Sequence, residues 1–273
     1  MSNIIDKYNV SVPRYTSYPP ANYFHELEAS DYLEAVVRSN EEGSKKLSFY
    51  LHMPFCKRLC HYCGCNSYIM PSSGDTVAKY IDAIHKEIDL VTALIDKSRP
   101  ISQIHFGGGS PTAMPSSVLK EINEHLLSLF PTIDKPEIAI ECHPGYLTEE
   151  DWINLTNSHF NRFSIGIQDL DDKVLKTVGR TPSNLPLETI IGILRNAGAT
   201  INMDFLFGLP YQTPESFAKN IERAIALHPD RLVTFSYGHV PWVFKRQQIL
   251  EKHGLPQPEV KQQMYDNAAS LLH

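Results

Sequence analysis

From Lys46 onward one unit recurs six times: a short run with strand-like alternation, a loop carrying Gly or Pro, then a longer run with helical spacing. Strands are expected at 47–52 and near 102–106, 137–141, 162–167, 200–206 and 231–236. Val77, Ile81, Ile84, Ile88, Val91 and Ile95, with spacings alternating between four and three, mark the first long helix. Further helices are expected near 116–130, 171–178 and 185–197, with amphipathic segments from about 243 to the end. Thr148 stands where it caps a helix whose first turn holds Glu149, Glu150 and Asp151. Thr213 caps another that runs to about 227, with Pro214 at its first position. Strands alternating with helical crossovers make a parallel sheet.

The side-chain pattern narrows this further. Gln103 and His105 alternate with Ile104 and Phe106, and Ala139 and Glu141 with Ile138 and Ile140. Arg162, Ser164, Gly166 and Gln168 alternate with Phe163, Ile165 and Ile167, and Asn202 and Asp204 with Met203 and Phe205. In the sixth strand Thr234 and Ser236 are set against Val233 and Phe235. A parallel sheet covered on both faces reads as a near-continuous apolar run, and a closed eight-stranded barrel fills its interior with branched side chains. These strands do neither. The fold class expected is therefore α/β, an open three-quarter (β/α)6 barrel whose polar face lines a chamber. Glu141, Gln168 and Asp204 then gather at the C-terminal rim, where parallel α/β folds keep their sites. Residues 46–273 are expected to form this partial barrel, and residues 1–45 an extended N-terminal arm and helix. Pro13, Arg14, Tyr15, Thr16, Ser17, Tyr18, Pro19 and Pro20 suit neither a helix nor a central strand. That arm either covers the body's surface or brings Arg14 and the tyrosines over the mouth of a site.

Four of the five cysteines, Cys56, Cys60, Cys63 and Cys65, fall within the loop after the first strand. Thiolates hold both iron–sulfur clusters and zinc. A structural zinc site needs two ligand pairs across a longer loop, and no second cluster of that kind follows. Three cysteines this close suit a 4Fe-4S cluster with one iron left free; zinc and a redox disulfide stay open on spacing alone. Tyr50 and His52 share a strand face beneath this loop, His52 reading as a hydrogen-bonded structural residue. The run Gly107, Gly108, Gly109, Ser110, Pro111, Thr112 follows the second strand, where glycines permit close backbone approach and leave N–H groups free. It matches neither a Walker loop nor a dinucleotide fingerprint. Glu141 can accept from a hydroxyl or amine and Arg180 can pair with a carboxylate, though each could equally be a surface residue. The lone Cys142 reads as a small buried side chain. Net charge is −6 with no basic run, which argues against a general nucleic-acid surface. No signal peptide and no apolar stretch of about 18 residues occurs, so the expected location is cytoplasmic, where clustered cysteines read as metal ligands.

Taken together, these residues resemble the radical S-adenosylmethionine enzymes, whose cluster motif has the spacing of Cys56, Cys60 and Cys63. The likeness is greatest to the oxygen-independent coproporphyrinogen III oxidase group. Its marks are the Cys63, Gly64, Cys65 run, the segment from Pro13 to Pro19, the Gly107 to Thr112 run, and Asp204 through Gly208, Leu209 and Pro210. The resemblance covers essentially the whole chain. It implies that Cys56, Cys60 and Cys63 bind a 4Fe-4S cluster, that Cys65 does not, and that S-adenosylmethionine chelates the fourth iron. It further implies that Tyr50, Gly108 and Glu141 hold that cofactor. A second S-adenosylmethionine would contact Tyr62, Gly109, Ser110, Gln168, Arg180, Asp204 and Gly238. The implied reaction is oxidative decarboxylation of two propionates of coproporphyrinogen III to vinyl groups, giving protoporphyrinogen IX. Tyr50, Glu141 and Arg14 would act in catalysis, Arg14 by holding propionate charge. The implied partners are the porphyrinogen and a cellular electron donor, with no nucleic acid and no membrane span, for a chain expected to be a monomer. Members of the group are longer, so a C-terminal domain that helps close the chamber is expected to be absent, and His143 stands where an acidic residue is expected. The alternatives are a haem-handling chaperone, a zinc-binding structural protein, and an inactive paralogue that still binds cluster and cofactor. Cys65 and the N-terminal arm argue against the chaperone.

Overall fold

In the computed structural model, which describes residues 23–273, six strands form one parallel sheet. Arg14 and the expected arm around it lie outside the described residues. The sheet strands are β1 (Leu47–Met53), β4 (Ile101–Gly108), β5 (Thr132–Cys142), β6 (Arg162–Gln168), β7 (Thr200–Phe207) and β8 (Arg231–Ser236), hydrogen-bonded in that order. Two short strands, β2 (Phe55–Cys56) and β3 (Tyr68–Ile69), pair with each other in the loop after β1. Each later sheet strand adds at the same edge, and right-handed crossovers then put the helices on one face of the sheet. Those helices are α1 (Ala29–Glu42, before the sheet), α2 (Gly74–Thr92), α3 (Ser116–Leu129), α4 (Glu149–Thr156), α5 (Asp172–Thr177), α6 (Leu187–Asn196), α7 (Pro214–Ala226), α8 (Gln248–Glu251) and α9 (Pro258–Leu272). β1 and β8 are the edges of the sheet, which does not close. Among the described residues no helix is long and apolar enough to cross a membrane.

Local chemistry explains where these elements start. Thr148 accepts from the Asp151 N–H while the Asp151 carboxylate accepts from the Thr148 N–H, a reciprocal cap that opens α4. Thr213 and Ser216 do the same for α7. Helix α2 ends at Thr92, leaving Ile95 beyond it, and β5 begins at Thr132, earlier than the expected 137.

The period-two pattern sorts side chains as expected in the central strands. Phe163, Ile165, Ile201, Met203 and Phe205 are buried against Leu119, Ile122, Trp152, Ile190, Leu194, Phe217 and Ile221. The opposite face carries Tyr50, His105, Glu141, Ser164 and Asp204, all partly open. β8 departs from expectation. Its register aligns Val233 with Asp204 and Phe235 with Leu206, so both apolar residues face the chamber, while Thr234 and Ser236 align with Phe205 and Phe207 on the helix side. Phe235 is consequently 49% exposed. On an edge strand, pairing with the neighbour sets the register, and half-covered faces weaken the pattern that would otherwise report it.

Candidate cofactor site at the C-terminal rim

Pairing of β2 with β3 closes the base of the cysteine loop, where the Met70 N–H donates to the Cys56 carbonyl at 2.8 Å and the Tyr68 N–H to the Pro54 carbonyl at 2.7 Å. Cys56 and Cys60 are buried, Cys63 is partly buried and Cys65 is exposed. Burial pushes the Cys56 thiol up to about 11, with the neighbouring Cys63 and Cys60 adding to it. Cys63 moves the other way, to about 6, because hydrogen bonds from Cys65 outweigh burial and Arg246 adds positive charge. Cys65 thus acts on Cys63, an effect its spacing does not reveal. The donor set, three soft sulfurs in one short loop, fits an iron–sulfur cluster. No three His, Cys, Asp or Glu side chains among the described residues converge as the ligands of a single metal ion do.

The glycine run lies directly against this loop. The Gly109 N–H donates to the Met53 carbonyl at 2.8 Å and the Ser110 N–H to the Phe55 carbonyl at 3.0 Å. A Cβ at Gly109 would meet the Pro54 carbonyl oxygen at 2.7 Å and Cys56 Sγ at 3.0 Å. Gly108 has φ +117°, and a Cβ there would meet the His52 ring at 2.8 Å. Ser110 is buried, with its hydroxyl 3.4 Å from that of Thr112, which in turn accepts from the His143 N–H.

Beneath the turn, Tyr50, His105 and Glu141 face one space. His105 Nε2 lies 3.1 Å from Glu141 Oε1, and the His105 ring stacks on Tyr50. Burial raises the Tyr50 pKa, with Glu141 and Cys65 adding to the effect. The Tyr50 hydroxyl is 3.1 Å from His52 Nδ1, and His52 Nε2 is 2.9 Å from the Asn66 carbonyl. His52 is therefore hydrogen-bonded into the loop, as read from the sequence. Deeper in the chamber Asp204 accepts from Ser164 Oγ and Asn202 Nδ2, each at 2.8 Å. Burial raises its pKa despite those two bonds.

Arg180 connects the two halves of the rim. Its guanidinium donates to the Tyr62 hydroxyl at 3.1 Å and to the Gly166 carbonyl, and approaches Cys60 Sγ at 3.8 Å. Burial works against its charge, but the Tyr62 phenol and the Cys60 thiol outweigh burial and hold its pKa above the ordinary value. Within the protein its partners are thus a phenol, a carbonyl and a thiol. Gln168, at φ +71° beside a register shift, folds back over Gly166 next to Arg180. His143, stacked on Tyr146 with centroids 3.8 Å apart, is held neutral by burial and then by Arg180, its pKa lowered to about 2. Where an acidic residue was expected stands an uncharged ring whose Nδ1 accepts from the Gly145 N–H.

Residues 50–224 match the sequence model of the family described as the Radical SAM superfamily. The chain belongs to the radical SAM superfamily. It is 37% identical over 278 residues to the oxygen-independent coproporphyrinogen III oxidase of Pseudomonas aeruginosa, covering 99% of this chain and 59% of that protein. The enzyme of that name from Paracoccus denitrificans is 33% identical over 265 residues, 97% of this chain and 58% of its own length. The solved coproporphyrinogen III oxidase of Escherichia coli, described as a radical SAM enzyme, superposes with a TM-score of 0.86 at 34% identity, covering 94% of this chain and 59% of that one. The chain thus spans under two thirds of the length of these relatives.

Membership of the radical SAM superfamily implies an iron–sulfur cluster and S-adenosylmethionine. The structure brings Tyr50 and Glu141 together around Gly107 below the cysteine loop, sets Gly108 against the His52 ring instead, and brings Tyr62, Gln168 and Arg180 together beside the loop. Gly238 reaches the same rim through its carbonyl, which accepts from Gln247 Nε2 at 3.2 Å. Two residues that sequence reasoning missed bind the loop itself. Arg246 donates to the Cys63 carbonyl at 3.1 and 2.6 Å, and Gln247 to the Tyr62 carbonyl at 3.0 Å. Nothing in their spacing marks them, because the contact joins segments far apart in the chain. His105 was visible in the sequence as a chamber-facing residue and was given no role.

Proposed function

We propose that this chain carries out the oxygen-independent oxidative decarboxylation of coproporphyrinogen III propionates to vinyl groups, giving protoporphyrinogen IX. The supporting observation is the rim itself, where the Gly109 backbone packs against Cys56 while Tyr50 and Glu141 face the space below. In this reading Cys56, Cys60 and Cys63 hold a 4Fe-4S cluster, and Tyr50, Gly108 and Glu141 hold S-adenosylmethionine. A second molecule of that cofactor is assigned to Tyr62, Gly109, Ser110, Gln168, Arg180, Asp204 and Gly238. Bound together and held by these residues, cluster and cofactor would supply the radical chemistry that hydrogen abstraction from the propionate needs.

The task of the chain's own residues is positioning. Arg180 keeps a fixed positive charge beside the cysteine loop, and Asp204 and Glu141 offer carboxylates to the amine and hydroxyl groups of a bound nucleoside. Arg14 is assigned to the propionate charges; unchanged substrate affinity in Arg14→Ala would remove it from the site. Residues 46–273 act as the barrel and 1–45 as arm and helix, in a cytoplasmic monomer reduced by a cellular electron donor. The test is anaerobic reconstitution followed by an assay for 5′-deoxyadenosine with and without coproporphyrinogen III. Formation that rises with the porphyrinogen is expected. No 5′-deoxyadenosine under either condition would end the enzyme reading.

A further inference from the structure

Register aligns Tyr50 on β1, His105 on β4 and Ala139 on β5 in one row across the chamber face. Ala139 fills little of its place, so the His105 ring leans over it and sets Nε2 3.1 Å from Glu141 Oε1, one step further toward the rim. The same ring lies against Tyr50, with centroids 5.8 Å apart and planes inclined by 18°. Gly107 makes this convergence possible, since a Cβ there would meet Glu141 Oε1 at 2.8 Å and Tyr50 Cε2 at 2.9 Å. An ionised carboxylate only accepts, so Nε2 carries the proton of this contact. Glu141 has 45% of its side chain exposed, and a carboxylate so open otherwise samples several rotamers.

We infer that His105 is a positioning residue for S-adenosylmethionine, orienting the Glu141 carboxylate through Nε2 and bracing the Tyr50 ring by stacking. This rests on the reading that Glu141 and Tyr50 hold that cofactor. A hydrogen bond to a charged group is among the stronger ones, and pre-orienting a ligand-binding carboxylate lowers the ordering cost of binding. His105 itself touches no reacting atom in this account, and its effect passes through Glu141.

The test is equilibrium dialysis of labelled S-adenosylmethionine, without turnover, against cluster-reconstituted protein under anaerobic conditions. His105→Phe keeps a ring against Tyr50 and loses the donor, whereas His105→Gln keeps a donor and loses the ring. His105→Phe is expected to raise Kd about tenfold, the low end for a hydrogen bond to a charged group. His105→Gln should recover most of that loss. On a Glu141→Gln background the same His105→Phe change should cost less than about twofold, because the carboxylate it orients is gone. An unchanged Kd in His105→Phe, or an equal factor on both backgrounds, would overturn the inference while leaving the proposed function standing. No binding by the unsubstituted protein would instead overturn the proposed function, and this inference with it.

Discussion

Gly107 and Gly109 stand two residues apart, yet a methyl group added at each meets different obstacles. At Gly109 the nearest atoms are the Pro54 backbone and Cys56 Sγ, neither free to move without opening the loop. At Gly107 they are the ends of the Glu141 and Tyr50 side chains, which rotate. Gly109→Ala is therefore expected to lose most of the iron retained after reconstitution, while Gly107→Ala keeps iron and binds S-adenosylmethionine more weakly. Iron analysis beside cofactor dialysis separates the two. The cysteines divide in a related way. Cys65→Ser is expected to keep the visible absorption of the reconstituted cluster, and serine at Cys56, Cys60 or Cys63 to lose it; equal loss at all four would make Cys65 a ligand. His143 gives a pH signature. Its folded pKa of about 2 lies below the unfolded value, so its contribution to stability is complete above about 6.5 and falls as pH drops. Between pH 7 and pH 5 the unfolding free energy of the natural protein should fall about 2 kcal/mol further than that of His143→Asn. Urea titrations at both pH values check this, and parallel losses would refute it.

The six strand–helix units were legible because a strand buried on one face repeats every two residues and a helix nearly every four. Thr148 and Thr213 were legible because a cap is local, with residue type and partner within one turn. Thr213→Ala should accordingly cost about 1 kcal/mol in a denaturant titration, without altering iron content. The face assignment of β8 failed for the opposite reason. Val233 and Phe235 face the chamber through pairing with β7, and an edge strand carries no separate sign of that. The site was legible wherever short spacing or strand alternation placed a residue, as at Cys56, Cys60, Cys63, Glu141 and Asp204. It was not legible at Arg246 and Gln247, whose partners lie 183 and 185 residues away. Arg180 could be read only as able to pair with a carboxylate, because its bonds to Tyr62 and Gly166 follow from how the turn after α5 folds back over β6.

Across the whole molecule, the first and last strands of the sheet share no hydrogen bonds, yet segments that follow them meet above the rim. The loop after β1 presents the Tyr62 and Cys63 carbonyls and Gly64. The segment after β8 answers with Gln247, Arg246 and the Phe244 ring, which a Cβ on Gly64 would meet at 3.2 Å. Gln247 is buried, and its side-chain oxygen also accepts from the Val240 N–H at 2.6 Å, so one residue ties loop, rim and the segment leaving β8. A group bound by the cysteines should then stabilise more than its own loop, because a ligand that binds the folded state favours every contact that state requires. Hydrogen exchange tests this across the gap. Reconstitution should slow exchange at residues 60–65 and also at 231–243 in the natural protein. In an Arg246→Ala, Gln247→Ala double variant the first effect should persist in weaker form and the second should vanish. Slowed exchange at 231–243 in that variant would mean that the two edges communicate through the sheet itself, and that the contact over the rim is a passive neighbour.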